Sequence, residues 1–264
     1  MTYRIVALCS WSLLFACEKQ RLDADAVDAE KKQPAHVSAR VSEARRAHEA
    51  TSSNAAGDTA DGMLLKEAWV VVYRDPLRAW NMVEKISDTR GRELILDQCA
   101  TALAERDRSA AIAWAGQLSH AEERNIALAR IAVVWSAEEP MPAATFLQKQ
   151  NITGLTYEIA AVQILQFWAQ RSGPEAAAWA LSFPASPLRL SGLDAVSSEW
   201  LQRDAAEFGR WLGAVESASV QDEFIASSAR AITPQISEKR QAYLRDWPQH
   251  LRERVEAATE PLPP

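Results

Sequence analysis

The amino-acid sequence predicts an all-α fold, a right-handed α-α solenoid of about five to six helix-pair repeats of 32 to 33 residues. The first observation is that large side chains recur at this interval in two columns of positions. The first column contains Leu103, Trp135, Trp168, Trp200 and Ile232, and the second contains Met82, Trp114, Phe146, Trp179, Trp211 and Tyr243. The second observation is that apolar residues near both columns recur at offsets of three, four and seven, which is the spacing of one helix face.

Each repeat is predicted to contain two antiparallel helices joined by a loop of a few residues. In the first helix, Ala79 and Val83 share an apolar face with the second-column residue Met82. In the second helix, Leu96 precedes the first-column residue Leu103 by two turns. A single pair cannot bury both of its apolar faces, so neighbouring pairs are predicted to stack into one continuous core.

Residues 1–16 are predicted to be an export signal. Arg4 supplies a short basic start, and the apolar run that follows is too short to span a bilayer as a stable helix. The run ends at Leu14-Phe15-Ala16-Cys17, which resembles a bacterial lipobox, where an aliphatic residue stands three positions before a cysteine and a small residue directly before it. Phe15 departs from that pattern, because its position usually carries a small or aliphatic residue.

The resemblance to a lipobox implies cleavage before Cys17, attachment of diacylglycerol to its sulfur and acylation of the new amino group. Two or three acyl chains hold a protein to a membrane far more firmly than one. The alternatives are an ordinary signal peptide cut near Ala16 and an uncleaved N-terminal anchor.

Residues 17–60 are predicted to be a disordered tether, because charged and small polar residues dominate and large apolar residues are scarce. Within the tether, Val41 to Ala50 could form a transient helix or a degenerate first-repeat helix, since Ala47 lies 32 residues before Ala79. The repeat domain is predicted over residues 61–258, with helical periodicity from Met63 and a frayed tail at 259–264.

A recurring junction separates one repeat from the next. In Arg74-Asp75-Pro76, Asp75 is placed to cap the following helix and Pro76 suits its first turn. The same position is occupied by Arg106-Asp107, Glu138-Glu139-Pro140, Arg171-Ser172 and Arg203-Asp204. The arginine column, Arg74, Arg106, Arg171 and Arg203, is a candidate rim that binds acidic groups of a partner. The structural alternative is that each arginine complements the negative end of its own helix dipole.

No catalytic residue, metal site or cofactor is predicted. The four histidines have no second histidine or cysteine at metal-ligand spacing. Cys99 occupies the position held by Ile131, Ile164 and Val196 in other repeats, which indicates a core residue rather than a nucleophile. The net charge of −6 argues against a nucleic-acid partner, for which a basic surface is expected.

From about Met63 to Trp247, the helix pairs resemble tetratricopeptide-like and other α-solenoid repeats. The resemblance is one of architecture, because the Gly-Tyr pattern and the longer unit of tetratricopeptide repeats are not followed consistently. It implies binding of a protein segment on a repeat surface, and bacterial lipoproteins with such repeats often serve envelope assembly.

The sequence therefore predicts a membrane-tethered, non-enzymatic interaction scaffold of the bacterial cell envelope that binds a protein or peptide partner. Glu18, which follows the lipobox cysteine, is not the aspartate that retains lipoproteins at the inner membrane of enteric bacteria. This favours the outer membrane over the inner one, and the predicted location is the cell envelope, lipid-anchored, either facing the periplasm or at the outer membrane. Two alternatives stay open: an envelope hydrolase that acts on glycans or peptidoglycan through carboxylates on repeat loops, and an immunity-type protein that neutralises a secreted partner.

Overall fold

All regular secondary structure in residues 60–259, the part of the chain that the computed structural model describes, is helical. This confirms the all-α prediction for that part. The predicted export signal, Cys17, most of the tether with its segment Val41 to Ala50, and nearly all of the C-terminal tail lie outside the described residues.

Twelve helices follow one another within these residues. They are α1 (Ala60–Val71), α2 (Pro76–Val83), α3 (Thr89–Arg106), α4 (Arg108–Gln117), α5 (Ala121–Ser136), α6 (Pro140–Lys149), α7 (Gly154–Arg171), α8 (Gly173–Leu181), α9 (Pro187–Ala214), α10 (Ala218–Ile232), α11 (Ser237–Leu244) and α12 (Gln249–Thr259). From α2 onward, a short helix of eight to ten residues alternates with a longer one up to α9.

Aspartates at the predicted junctions define where several helices begin. Three of them accept a hydrogen bond from the backbone N–H three residues on: Asp75 at 3.1 Å, Asp107 at 3.0 Å and Asp204 at 2.7 Å. Asp204 lies inside α9, where its φ of −155° and ψ of 85° interrupt the helix. The long α9 is therefore two helices joined at the predicted junction. Ser172 and Glu139 begin their helices without a side-chain cap.

Helix neighbours follow one rule along the chain. The longer helices pack against one another in order, α3 on α5, α5 on α7, α7 on α9, α9 on α10 and α10 on α12. Each of the short helices α4, α6 and α8 packs against the two longer helices that flank it in sequence. Apolar faces on three sides of a long helix are thus covered by the helix before, the helix after and a short helix.

The buried positions recur at the predicted interval. In the long helices, two positions three residues apart are buried throughout: Leu96, Leu128, Ala161, Leu193 and Ile225, then Cys99, Ile131, Ile164, Val196 and Ser228. In the short helices, the residue after the second column is buried throughout: Val83, Ala115, Leu147, Ala180, Leu212 and Leu244. The predicted core positions at these columns are confirmed.

The aromatic columns are less buried than the sequence predicts. Trp168, Trp200 and Ile232 are buried, but Trp135 and every second-column residue are only half-buried. Trp179 packs against the core from its edge, and Trp135 is likewise only partly buried. The centre of each short-helix face is taken by the following residue, for example Ala180 after Trp179, so the aromatic ring lies at the edge of that face.

The first helix has one uncovered flank. α1 packs against α2 and α3, and the N–H and hydroxyl of Ser87 donate to Asp61 at 3.0 and 2.6 Å. Met63 and Val70, however, are 58% and 84% exposed, whereas residues at the same positions of α3, Ile95 and Ala102, are buried. The difference arises because the described chain places no long helix before α1.

A glycine makes room for the most buried tryptophan. A Cβ at Gly173, the first residue of α8, would lie 2.0 Å from the Trp200 ring. That ring cannot retreat easily, because it stacks on Phe208 with ring centroids 4.8 Å apart and donates from Nε1 to Glu207 at 2.7 Å. The short helix α8 can therefore approach α9 closely only with glycine at this position.

Gly173→Ala is expected to destabilise the fold by about 1 to 3 kcal/mol or more, as overpacking of a rigid core does. Gly116→Ala is the matched control, because a Cβ there meets nothing within 4 Å. The control is expected to gain about 0.5 to 1 kcal/mol from the helix preference of alanine. Denaturant unfolding of both variants measures the difference, and equal effects would contradict this packing.

Candidate functional site

Two of the four junction arginines tie neighbouring long helices together at their C-terminal ends. Arg106, at the end of α3, donates to the backbone carbonyls of Tyr73 and Arg74, which follow α1. Arg171, at the end of α7, donates to the carbonyl of Ala137, which follows α5, at 2.7 Å. These carbonyls lie at the negative end of the helix dipole, where cations are favoured. Both guanidiniums thus have a structural role.

The other two junction arginines are placed differently. Arg203 donates to Glu207, and its guanidinium carbon lies 6.0 Å from the centre of the Trp200 ring. Arg74 is exposed, and it contributes its carbonyl rather than its guanidinium to the contact with Arg106. The four arginines therefore do not converge on one site, and partner binding by this column stays a prediction.

Each tryptophan of the first column donates to a glutamate four or seven residues further on, at or just after the junction that follows it. The Nε1 to Oε2 distances are 2.8 Å for Trp135 to Glu139, 3.0 Å for Trp168 to Glu175 and 2.7 Å for Trp200 to Glu207. The bond from Trp135, followed by the one from Arg108, lowers the pKa of the Glu139 carboxyl. These carboxylates are held as acceptors between helices, which makes them poor candidates for proton transfer.

A second set of cationic and amide side chains binds the opposite end of the helix pairs, and it is not predicted from the sequence. Near the start of four long helices, one side chain donates to a carbonyl at the end of the preceding short helix. The contacts are Arg92 to Ile86 at 2.7 Å, Arg124 to Leu118 at 2.5 Å, Arg189 to Leu181 at 2.7 Å and Gln221 to Val215 at 2.9 Å. The 32-residue spacing of Arg92 from Arg124, and of Arg189 from Gln221, is the signal that could have revealed it.

Some of these side chains also bridge successive long helices. Arg92 pairs with Glu123 of α5 at 2.7 Å, and Arg189 forms two hydrogen bonds with Glu223 of α10, both at 2.8 Å. The bonds to Glu223 raise the pKa of Arg189. A bidentate pair such as Arg189 with Glu223 fixes the orientation of the two side chains as well as their distance. Arg92 and Arg189 thus hydrogen-bond carbonyls at the ends of short helices and also fix the register between neighbouring long helices.

An apolar row crosses the solvent-facing side of three long helices. It consists of Leu94 of α3, Ile126 of α5 and Ile159 of α7, which occupy corresponding positions 32 and 33 residues apart. Leu94 and Ile159 are 40% and 49% exposed, and Ile126 is half-buried. One turn before Ile159, Leu155 is 66% exposed. Because α3 packs on α5 and α5 on α7, these positions lie on successive neighbouring helices, and they are here called the apolar row.

A pocket lies where α3 and α5 begin. Its volume is about 260 Å³, and its lining residues, here called the glutamate pocket, are Thr89, Arg92, Glu93, His120, Ala121, Glu122 and Glu123. Glu123 is almost fully buried and is the partner of Arg92. Burial, and then the charge of Glu122, raise the pKa of the Glu93 carboxyl, against the opposing influence of Arg90 and Arg92.

The described residues contain no group of three or more histidine, cysteine, aspartate or glutamate side chains placed to hold a metal ion. None of their helices combines the length and the apolar character needed to cross a membrane. Cys17, the predicted lipidation site, lies outside the described residues.

Comparison of the chain with protein-family models, with curated proteins and with solved structures gives no match.

Cys99 is a core residue, as its sequence position predicts. Its side chain is buried and its Sγ donates to the carbonyl of Pro76 at 3.1 Å. Burial raises the pKa of the Cys99 thiol to about 12. Since the thiolate is the nucleophile, the Cys99 thiol is inert at neutral pH.

Cys99 is expected to resist iodoacetamide in the folded protein at mildly alkaline pH and to react fully in concentrated guanidinium chloride. Mass spectrometry of the tryptic peptide that spans residues 93–106 reports the modification. The same peptide after unfolding serves as the control. Rapid alkylation of Cys99 under native conditions would show that the thiol is exposed or activated.

Proposed function

We propose that this chain is a membrane-tethered, non-enzymatic interaction scaffold of the bacterial cell envelope, and that it binds a protein or peptide segment on the apolar row. The observation that carries the proposal is the exposure of Leu94 on α3 and of Leu155 and Ile159 on α7, on either side of α5, where Ile126 occupies the corresponding position. Scattered surface apolar residues need no explanation, but an aligned group is typical of an interaction site.

The proposal includes the finer architecture, a right-handed α-α solenoid of five to six helix-pair repeats. The order in which the long helices contact one another supports it, because each contacts its predecessor and its successor. The recurrence of buried positions at 32 to 33 residues supports it as well. Stacked pairs present corresponding side chains in rows, which is how repeat proteins build extended binding surfaces.

Covering the apolar row supplies part of the free energy that binding of a partner requires. Burying one leucine or isoleucine side chain contributes about 1.5 to 3 kcal/mol. Leu94, Ile126, Ile159 and Leu155 together offer several such contributions, reduced because each is already partly covered. Association costs about 4 to 15 kcal/mol in lost freedom, so this row alone supports weak binding and requires polar contacts at its edge.

Anchoring is proposed through lipid on Cys17, with the outer membrane as the site. The support is the likeness of Leu14-Phe15-Ala16-Cys17 to a lipobox and the glutamate at position 18. An anchored scaffold gains from tethering, because a linker holds it at high effective concentration near membrane-bound partners.

Cys17 is expected to carry lipid in the mature protein. Intact mass and N-terminal peptide mass spectrometry should show loss of residues 1–16 and an acyl mass on Cys17. Cys17→Ser is the control, and it is expected to leave the protein unprocessed or released from the membrane. A mature chain with a free Cys17 thiol would rule out the anchor.

Ile159→Asp is expected to abolish partner capture while changing the free energy of unfolding by no more than about 0.5 kcal/mol, since the side chain is surface-exposed. Affinity capture from detergent-solubilised envelopes, followed by mass spectrometry, identifies proteins that the parent retains. Ile236→Asp is the matched control, because Ile236 is 68% exposed and lies at the start of α11.

Proteins retained by the parent and by Ile236→Asp but lost with Ile159→Asp would support the scaffold. Identical recovery with both variants would remove the apolar row as the binding surface.

A further inference from the structure

The apolar row has a charged neighbour at one end. Glu93 of the glutamate pocket directly precedes Leu94 of the row. Glu122 lies four residues before Ile126, so the two side chains share a face of α5 one turn apart. The pocket therefore adjoins the row at α5, one turn before Ile126.

The pocket carries an excess of negative charge. Its lining contains three carboxylates and one guanidinium. That guanidinium, on Arg92, is already committed, because it pairs with Glu123 at 2.7 Å and donates to the carbonyl of Ile86. Within residues 60–259, Glu93 and Glu122 form neither an ion pair nor a hydrogen bond through their side chains. Arg90 and Arg92 lower the pKa of Glu93 through their charge, but neither donates a hydrogen bond to Glu93 or Glu122.

A cation supplied by a partner would stabilise the charged form of Glu93, which is partly buried. Burial and the charge of Glu122 raise the pKa of Glu93, and a positive group between the two carboxylates would offset both effects. Arg90 acts on Glu93 in the same favourable direction, yet it forms no ion pair with it in the described chain.

The size of the pocket suits one side chain. Its volume of about 260 Å³ falls below the roughly 300 to 1,000 Å³ of small-molecule sites. A lysine or arginine side chain carries an apolar stem and a charged head, and it can follow an apolar surface into an acidic recess. An acidic segment or a nucleic acid would instead be repelled by Glu93 and Glu122.

We infer that the segment bound on this surface is a basic-aliphatic peptide: aliphatic side chains cover Leu94, Ile126 and Ile159, and a neighbouring lysine or arginine enters the glutamate pocket to pair with Glu93 and Glu122. The inference rests on the proposed function and specifies the chemistry of the partner. It also provides the polar contact that the apolar row requires for specific binding.

The test uses the full-length protein in detergent micelles and a phage-displayed library of random twelve-residue peptides. Selected peptides are synthesised with a fluorescent label, and their Kd is measured by anisotropy. The expected sequences contain lysine or arginine close to aliphatic residues. Glu93→Gln/Glu122→Gln is expected to raise their Kd about tenfold or more, as loss of hydrogen bonds to a charged group does.

The matched control is Glu216→Gln/Glu256→Gln, which makes the same change in net charge at two exposed residues away from the apolar row. It is expected to leave the Kd unchanged. A peptide-side control avoids any effect on protein folding: replacing the basic residue of a selected peptide by glutamine should weaken binding to the parent protein by a similar factor.

The outcomes separate the inference from the function on which it rests. Peptides that lose binding to Ile159→Asp but bind Glu93→Gln/Glu122→Gln as tightly as the parent would overturn the basic side chain and leave the scaffold in place. The inference would be overturned if the Kd of the selected peptides were the same for the parent, for Ile159→Asp and for Glu93→Gln/Glu122→Gln. It would also be overturned if the selection enriched no peptide. Envelope proteins captured through Ile159 in that case would show that the scaffold function survives without it.

Discussion

The long helices must each be covered on several sides, and this requirement governs the rest of the structure. On α5, Leu128 and Ile131 are buried because α3, α7 and the short helices beside α5 all contribute to their surroundings. Removing any neighbour would expose several such residues at about 25 cal/mol per Å² of apolar area. Continuity of the stack is therefore a condition of stability for every helix within it.

Polar contacts at the helix ends complete what apolar burial cannot. The last carbonyls of a helix have no partner in that helix, and an unpaired buried carbonyl is costly. Arg92 and Arg124 supply that partner at the loop end of the pairs, and Arg106 and Arg171 do so at the junction end. Many charged residues of this chain consequently belong to the fold, which narrows the set available for binding. Glu93 and Glu122 form no hydrogen bond within this network.

The helices, their junctions and the central core columns are predictable from the sequence, because hydrophobic periodicity reports which residues share a helix face. It does not report the depth of a residue within that face, so it does not distinguish the half-buried Trp135 and Trp179 from the buried Trp168 and Trp200. Contacts such as Arg189 to Leu181 also escape prediction, since they depend on where another helix presents its carbonyls. The apolar row is not predictable from the sequence for a related reason. Leu94 and Ile159 cannot be distinguished from core residues until the positions of the neighbouring helices are known.

The uncovered flank of α1 has a mechanical consequence. Load that arrives from the N-terminal side of the chain reaches Ala60 before any other described residue. α1 has long-helix packing on one side only, and its exposed Val70 contributes little to holding it in place. The stability of stacked helices is approximately a sum over the interfaces between neighbours. A terminal helix with one such interface therefore unfolds at lower force than a helix in the interior. If the proposed lipid anchor on Cys17 transmits tension to the chain, α1 is expected to detach first, while α3 and the helices beyond it keep the apolar row intact.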